Sequence, residues 1–231
     1  PAWTRRGRPG NLPPPNSVPE SVAMKTIALL HTAAGNRAVF DAACPPGARL
    51  THTLREDLLK DAEAAGGLTD AIADRTARAL EALAAPGVDA VLLTCSTVGP
   101  GAARAKAGVP VLRVDAALAE AATRGGGCVV VLCAVETTVE PSRAIFAEAA
   151  ARHGATLDVR LVPGAWAVFR GGDPARYHAI IAEAAEGAFA EGAAEVALAQ
   201  ASMTGTVALA KGRAPLASPP IGLAAALAAA G

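Results

Sequence analysis

The stretch Asp89-Ala90-Val91-Leu92-Leu93-Thr94-Cys95-Ser96-Thr97-Val98-Gly99 decides how the rest of the chain is read. Its apolar run ends at a cysteine, followed by two hydroxyl residues and then a glycine. A short continuous apolar run is what a parallel strand buried on both faces looks like. Here it delivers a thiol to the carboxyl end of an α/β sheet, where open sheets of this kind bind ligands. Ser96 and Thr97 then offer hydroxyls and N–H groups where a helix begins, a place suited to a carboxylate. The same residues also fit a plain buried cysteine, small and apolar, at a strand end.

A second copy of this segment lies 105 residues further on, reading Glu195-Val-Ala-Leu-Ala-Gln200-Ala-Ser202-Met203-Thr204-Gly205. The same shift carries Gly87 onto Gly192, Pro110 onto Pro215 and Leu118 onto Leu223. Residues 27–43 match residues 132–150, with a shift of 105 at first and 106 by Phe40/Phe146, which sets His31 against Glu136. Alanine-rich sequence makes chance matches common, but matched glycines, prolines and phenylalanines are harder to obtain. The chain reads as two similar halves, 24–124 and 125–231, with the C-terminal helix of the first half shared or swapped.

Within 231 residues, 52% are hydrophobic but only 3% aromatic, so the core is built from Ala, Val and Leu. Net charge is zero, which gives no electrostatic reason to expect nucleic acid or an anionic membrane as partner. No apolar run approaches the roughly 20 residues that span a bilayer. The cysteines at 44, 95, 128 and 133 show no metal-ligand spacing, so no metal is expected. Free thiols in a cytoplasmic protein are the simpler account. Residues 1–23, rich in proline and without an apolar segment of signal-peptide type, read as a disordered extension.

From Lys25 onward, short β runs alternate with alanine-rich helical stretches. Strands are expected over 26–30, 49–53, 111–113, 128–135, 156–161 and 195–200, besides the Cys95 strand. Helices are expected over 37–43, 55–65, 68–85, 140–153 and 174–191, near 99–107, and onward from Asp115 and Pro220. This alternation means parallel sheets covered by helices, an α/β fold of two pseudo-symmetric halves with a cleft between them.

The paired halves, the Cys-Ser-Thr strand end and the tail Ala214-Pro215-Leu-Ala-Ser-Pro-Pro-Ile-Gly222-Leu resemble the aspartate/glutamate/hydantoin racemase superfamily, which also holds maleate isomerase and arylmalonate decarboxylase. The resemblance covers essentially all of residues 24–231. It implies a cofactor-independent amino-acid racemase-like isomerase acting on a small carboxylic acid at the carbon α to the carboxylate. Homo-oligomer formation is compatible with it. In the racemases each half contributes one cysteine, on opposite faces of that carbon. Cys95 falls on the first of these, while Gln200 occupies the place of the second. Glutamine neither removes nor delivers a proton, whereas a two-base racemase needs a group on each face. A single-cysteine decarboxylase, a cis–trans isomerase of small dicarboxylic acids, or a carboxylate-binding protein without chemistry are the alternatives.

The candidate catalytic residues are Cys95, His31 and Glu136. A thiol used as acid or base needs its pKa drawn toward neutrality, by a helix N-terminus or a nearby cation. His31, at the end of the first strand, stands where glutamate racemases carry an acidic residue and is placed to do this; its bland reading is a packing histidine. Glu136 would be an acid on the far face, or a solvated carboxylate. Asn36, Ser96, Thr97, Thr137, Thr138 and Ser202 are candidate substrate-binding groups, as the family's matching hydroxyls bind the substrate carboxylate. Ser and Thr serve equally as helix caps. Arg55 would suit a second carboxylate. Cys128 and Cys133, five apart on a strand, belong on opposite faces of the core, and Cys44 reads as structural.

Overall fold

The computed structural model describes residues 24–231; the extension expected over 1–23 lies outside the described residues. Strands β1 (Lys25–His31), β2 (Ala48–Leu54), β3 (Ala90–Leu93) and β4 (Val111–Arg113) form one all-parallel sheet in the order β2-β1-β3-β4. Strands β5 (Gly127–Cys133), β6 (Ala155–Leu161), β7 (Glu195–Leu198) and β8 (Leu216–Ala217) repeat that order as β6-β5-β7-β8. All four residues of β3 are buried, because helices cover both faces of the sheet.

The helices are α1 (Asn36–Ala42), α2 (Glu56–Ala64), α3 (Asp70–Leu83), α4 (Val114–Thr123), α5 (Val139–His153), α6 (Ala165–Arg170), α7 (Pro174–Ala190) and α8 (Ser218–Ala229). Their ends follow local chemistry. Thr69 accepts a hydrogen bond from the Ile72 N–H ahead of α3, and Asp173 accepts from the Arg176 N–H ahead of α7, whose first residue is Pro174. Helix α5 closes at Gly154, whose φ of 65° is left-handed and costs glycine little. Helix α6 has no counterpart among the expected elements, and β7 ends at Leu198, two residues before the expected end at 200. Gln200 is already the cap of a 3-10 helix, Ala201–Leu209.

Backbone pairing corrects the repeat. Ile27 lies beside Ala90 in the first sheet, and Val129 lies beside Glu195 in the second. The shift of 105 therefore holds for β3 and β7 but is 102 for β1 and β5. Phe40 and Phe146 still correspond, both buried against the first strand of their own half. Phe40 lies thirteen positions after Ile27 and Phe146 seventeen after Val129, so the second half has a longer strand-to-helix connection. The strand-end counterpart of His31 is Cys133, not Glu136.

The C-terminal helix of each half covers the other half's sheet. Leu118, Ala119 and Ala122 of α4 pack on Val129, Val131 and Ala197 of the second sheet. Leu223 and Ala226 of α8 pack on Ile27, Leu29 and Leu92 of the first. The two helices also lie against each other, so closely at Gly222 that an added Cβ would sit 2.6 Å from Val114 Cγ2.

Candidate active site

In each sheet the strand order reverses between the first and third strands of the half, and a crevice opens beyond their carboxyl ends. Thr32 and Cys95 follow β1 and β3; Ala134 and Gln200 follow β5 and β7. The crevices merge into one cleft of about 910 Å³ that Cys95 and Gln200 both line. That volume suits a small organic molecule.

Cys95 is half-buried and lines the cleft. Burial pushes the thiol pKa up, and the Thr32 hydroxyl and the Val98 and Thr97 N–H groups act against that rise. Burial is the largest influence, so Cys95 rests as a thiol. This corrects the expectation of a pKa drawn toward neutrality. The N–H groups at the sulfur still stabilise the thiolate once a proton has left.

Gln200 is held at both ends of its amide. Its Oε1 accepts from the Ala134 N–H at 2.7 Å, and its Nε2 donates to Thr138 Oγ1 at 2.6 Å. Thr138 Oγ1 in turn donates to the Val135 carbonyl at 2.6 Å. The second wall thus presents a fixed amide where the first presents a thiol. Buried Cys133 lies behind this network, near Ser142, Thr138 and Gln200, and its pKa is raised by burial.

Every residue expected to bind substrate lines the cleft: Asn36, Ser96, Thr97, Thr137, Thr138 and Ser202. Ser202 Oγ also shares a hydrogen bond with Tyr177 Oη at 2.9 Å. Two expected catalytic residues are not brought to the cleft. His31 is buried behind it, with Nδ1 2.8 Å from Thr94 Oγ1 and Nε2 2.9 Å from His52 Nδ1. His52 in turn bonds Asp41 at 2.9 Å. Burial, with His52 alongside, lowers the pKa of His31 to about 4, so it is neutral near pH 7 and is no cation for the thiol. Glu136 is exposed and absent from the cleft wall, three residues past the end of β5, although its neighbours Val135, Thr137 and Thr138 line the cleft. Arg55 is bonded through two nitrogens to Asp57, each at 2.7 Å, and also lies off the cleft.

Sequence reasoning missed much of the second wall. Trp166 and Phe169 of α6 stack with ring centroids 5.1 Å apart, and both line the cleft with His178 of α7. Phe169 leans on Tyr177, which is fully buried, and burial raises the Tyr177 pKa to about 12. A signal was present. In a chain with seven aromatic residues of the Phe, Trp and Tyr types, three fall between positions 166 and 177. Cys128 and Cys133 do pack on opposite faces of their sheet, in separate core clusters. Among the described residues no cluster of three metal-ligating side chains occurs, and no helix is long and apolar enough to cross a membrane.

Comparison with known proteins agrees with this architecture. The family model described as Asp/Glu/Hydantoin racemase matches residues 32–230. Aspartate racemase of Picrophilus torridus superposes with a TM-score of 0.71 at 13% identity, covering 89% of this chain and 94% of that one. Allantoin racemase of Pseudomonas fluorescens gives 0.64 at 18%, covering 89% and 90%. Unliganded arylmalonate decarboxylase gives 0.59 at 16%, covering 90% and 93%. At these identities the likeness is one of fold. Among curated proteins, none matches the chain. The family model spans most of the chain and both cleft walls, so this protein belongs to the Asp/Glu/hydantoin racemase family, a family of isomerases.

Proposed function

We propose that the protein is a cofactor-independent isomerase that moves a proton at the carbon α to a carboxyl or related carbonyl group, with Cys95 as the acid/base. The observation that carries this is the setting of Cys95: a cysteine on the cleft wall, with the Thr32 hydroxyl and two backbone N–H groups at its sulfur, suited to hold a thiolate. Substrate binds with its carbonyl group among Asn36, Ser96, Thr97, Thr137 and Thr138. These donors stabilise the negative charge that gathers on oxygen as the α C–H bond breaks. The thiolate form of Cys95 takes the proton and the thiol returns it.

Among the described residues no lysine or arginine lines the cleft; Glu63, Cys95 and His178 are the titratable groups there. A second carboxylate, as in aspartate or glutamate, has no cation to meet. The aromatic pair Trp166–Phe169 instead favours an apolar or aromatic substituent on the α-carbon.

A second reading is decarboxylation, favoured by Gln200. Loss of CO2 from a substituted malonate leaves an enediolate that needs one proton, and a resting thiol on one wall supplies it. The test is a panel of amino acids, hydantoins and arylmalonates followed by NMR in D2O. Deuterium entering the α-position without loss of CO2 supports the isomerase, and CO2 release with one product enantiomer supports the decarboxylase. Racemisation that survives Cys95→Ala would falsify the first reading, and CO2 release that survives it the second.

A further inference from the structure

We infer that His178 is the second proton-transfer group of the cleft, standing in for the thiol absent at Gln200. The inference rests on the reading of Cys95 given above. His178 lies in the second turn of α7, is half-buried, and lines the cleft from the second half. Its Nε2 donates to the Ser202 carbonyl at 2.9 Å, in the 3-10 helix that Gln200 caps. That bond fixes the tautomer with the proton on Nε2 and leaves the lone pair on Nδ1. Nδ1 has no hydrogen-bond partner among the described residues.

Space for the ring is built in. An added Cβ at Gly205 would lie 2.6 Å from Nδ1, so any larger residue there displaces the imidazole. Tyr177 packs against the ring with centroids 5.4 Å apart, and Thr206 Oγ1 reaches the His178 carbonyl at 3.5 Å. The imidazole is thus oriented by its neighbours, with Nε2 tied to the Ser202 carbonyl and Nδ1 unpaired beside Gly205. Its anchor, Ser202, is two residues past the position that mirrors Cys95. Of the other titratable groups on the wall, Glu63 belongs with Cys95 to the first half. Among the described residues His178 alone comes from the second.

The proton balance closes. From one enantiomer, the Nδ1 lone pair takes the α-proton, and the C–H electron pair moves into the carbonyl to give an enolate. The Cys95 S–H then delivers its proton to the opposite face of that carbon. This leaves an imidazolium and a thiolate, which return to the resting pair by proton exchange with water. The other enantiomer is processed from that ion pair, with the thiolate as base and the imidazolium as acid.

The experiment measures α-deuterium uptake in D2O from each enantiomer of two probes, 5-benzylhydantoin and 2-phenylpropionate, with enzyme-free exchange subtracted. His178→Gln keeps a donor toward the Ser202 carbonyl and removes the base. It is expected to lower exchange of one enantiomer on the order of 100-fold and to leave the other within about threefold. Cys95→Ala is expected to give the mirror-image pattern. His178→Ala should recover the lost exchange when imidazole is added, an effect that a merely structural role does not produce. Unchanged exchange of both enantiomers in His178→Gln, with loss in Cys95→Ala, overturns this assignment and leaves the thiol reading standing. Exchange indifferent to Cys95→Ala overturns the thiol reading instead. A wild type that exchanges neither enantiomer of either probe overturns both for this substrate class.

Discussion

The two walls of the cleft are built on one plan and end in different chemistry. On the first, β3 delivers Cys95 beside the Thr32 hydroxyl and two N–H groups. On the second, β7 delivers Gln200 to the equivalent place, and its amide is spent on Ala134 and Thr138. Strand order and helix placement repeat, so duplicated architecture here does not carry duplicated function. The second strand end holds its neighbouring loop together, while the first keeps a group able to exchange a proton.

The largest expected effect tests that contrast directly. Cys95→Ala should lower racemisation by roughly 10²- to 10⁴-fold, the range that a positioned acid/base supplies, as read from interconversion of the two enantiomers of any active substrate. Loss of a comparable size in Gln200→Ala would show that the walls are chemically equivalent after all.

Next come the exchanged helices, where the halves should behave alike. Leu118→Ala and Leu223→Ala each remove a fully buried side chain from the opposite half's core. Each should cost about 2–5 kcal/mol, measured by urea unfolding. Both variants should unfold in a single transition, because each half is completed by the other. A biphasic curve would break the comparison.

His31 separates the halves by pH. Its folded pKa of about 4 lies below the ordinary 6.5, so unfolded chains take up a proton there before the native state does. Stability from this group is complete above pH 6.5 and falls away as the pH drops through 4. The loss is about 3 kcal/mol in all. Cys133, the second half's counterpart, adds nothing in that range. His31→Gln should therefore flatten the acid side of the stability curve; an unchanged curve would mean that the imidazole chain from Thr94 to Asp41 does not form.

The smallest effect belongs to Gln200→Ala itself. Removing the amide leaves the Ala134 N–H without its acceptor and should cost about 1–3 kcal/mol. Thermal unfolding measures it.

The apolar run before Cys95 was enough to read the parallel sheets, and matched glycines and prolines were enough to find two halves. Hydroxyls beside strand ends were also legible, since Ser96, Thr97, Thr137, Thr138 and Ser202 all reach the cleft. The register of β1 against β5 was not. Pattern matching aligned the most similar residues and crossed a connection of unequal length, which set His31 against Glu136. His31 itself failed for a different reason: a strand-end position fixes neither which way a side chain turns nor what desolvates it. Trp166, Phe169 and His178 sit on helices, and nothing in local sequence says which turn of a helix will overlook a cleft formed by distant strands.

The exchange of α4 and α8 has a consequence for how such a molecule can be inherited. A gene encoding one half alone would make a chain whose sheet lacks a cover and whose last helix has nothing of its own to cover. Two such chains complete each other, each lending its tail, and their cleft then has two identical walls. Joining the two copies end to end turns the pair into a single chain without moving any helix. From that point each wall is spelled by its own stretch of sequence. A cysteine can be kept on one side while the other side changes to glutamine.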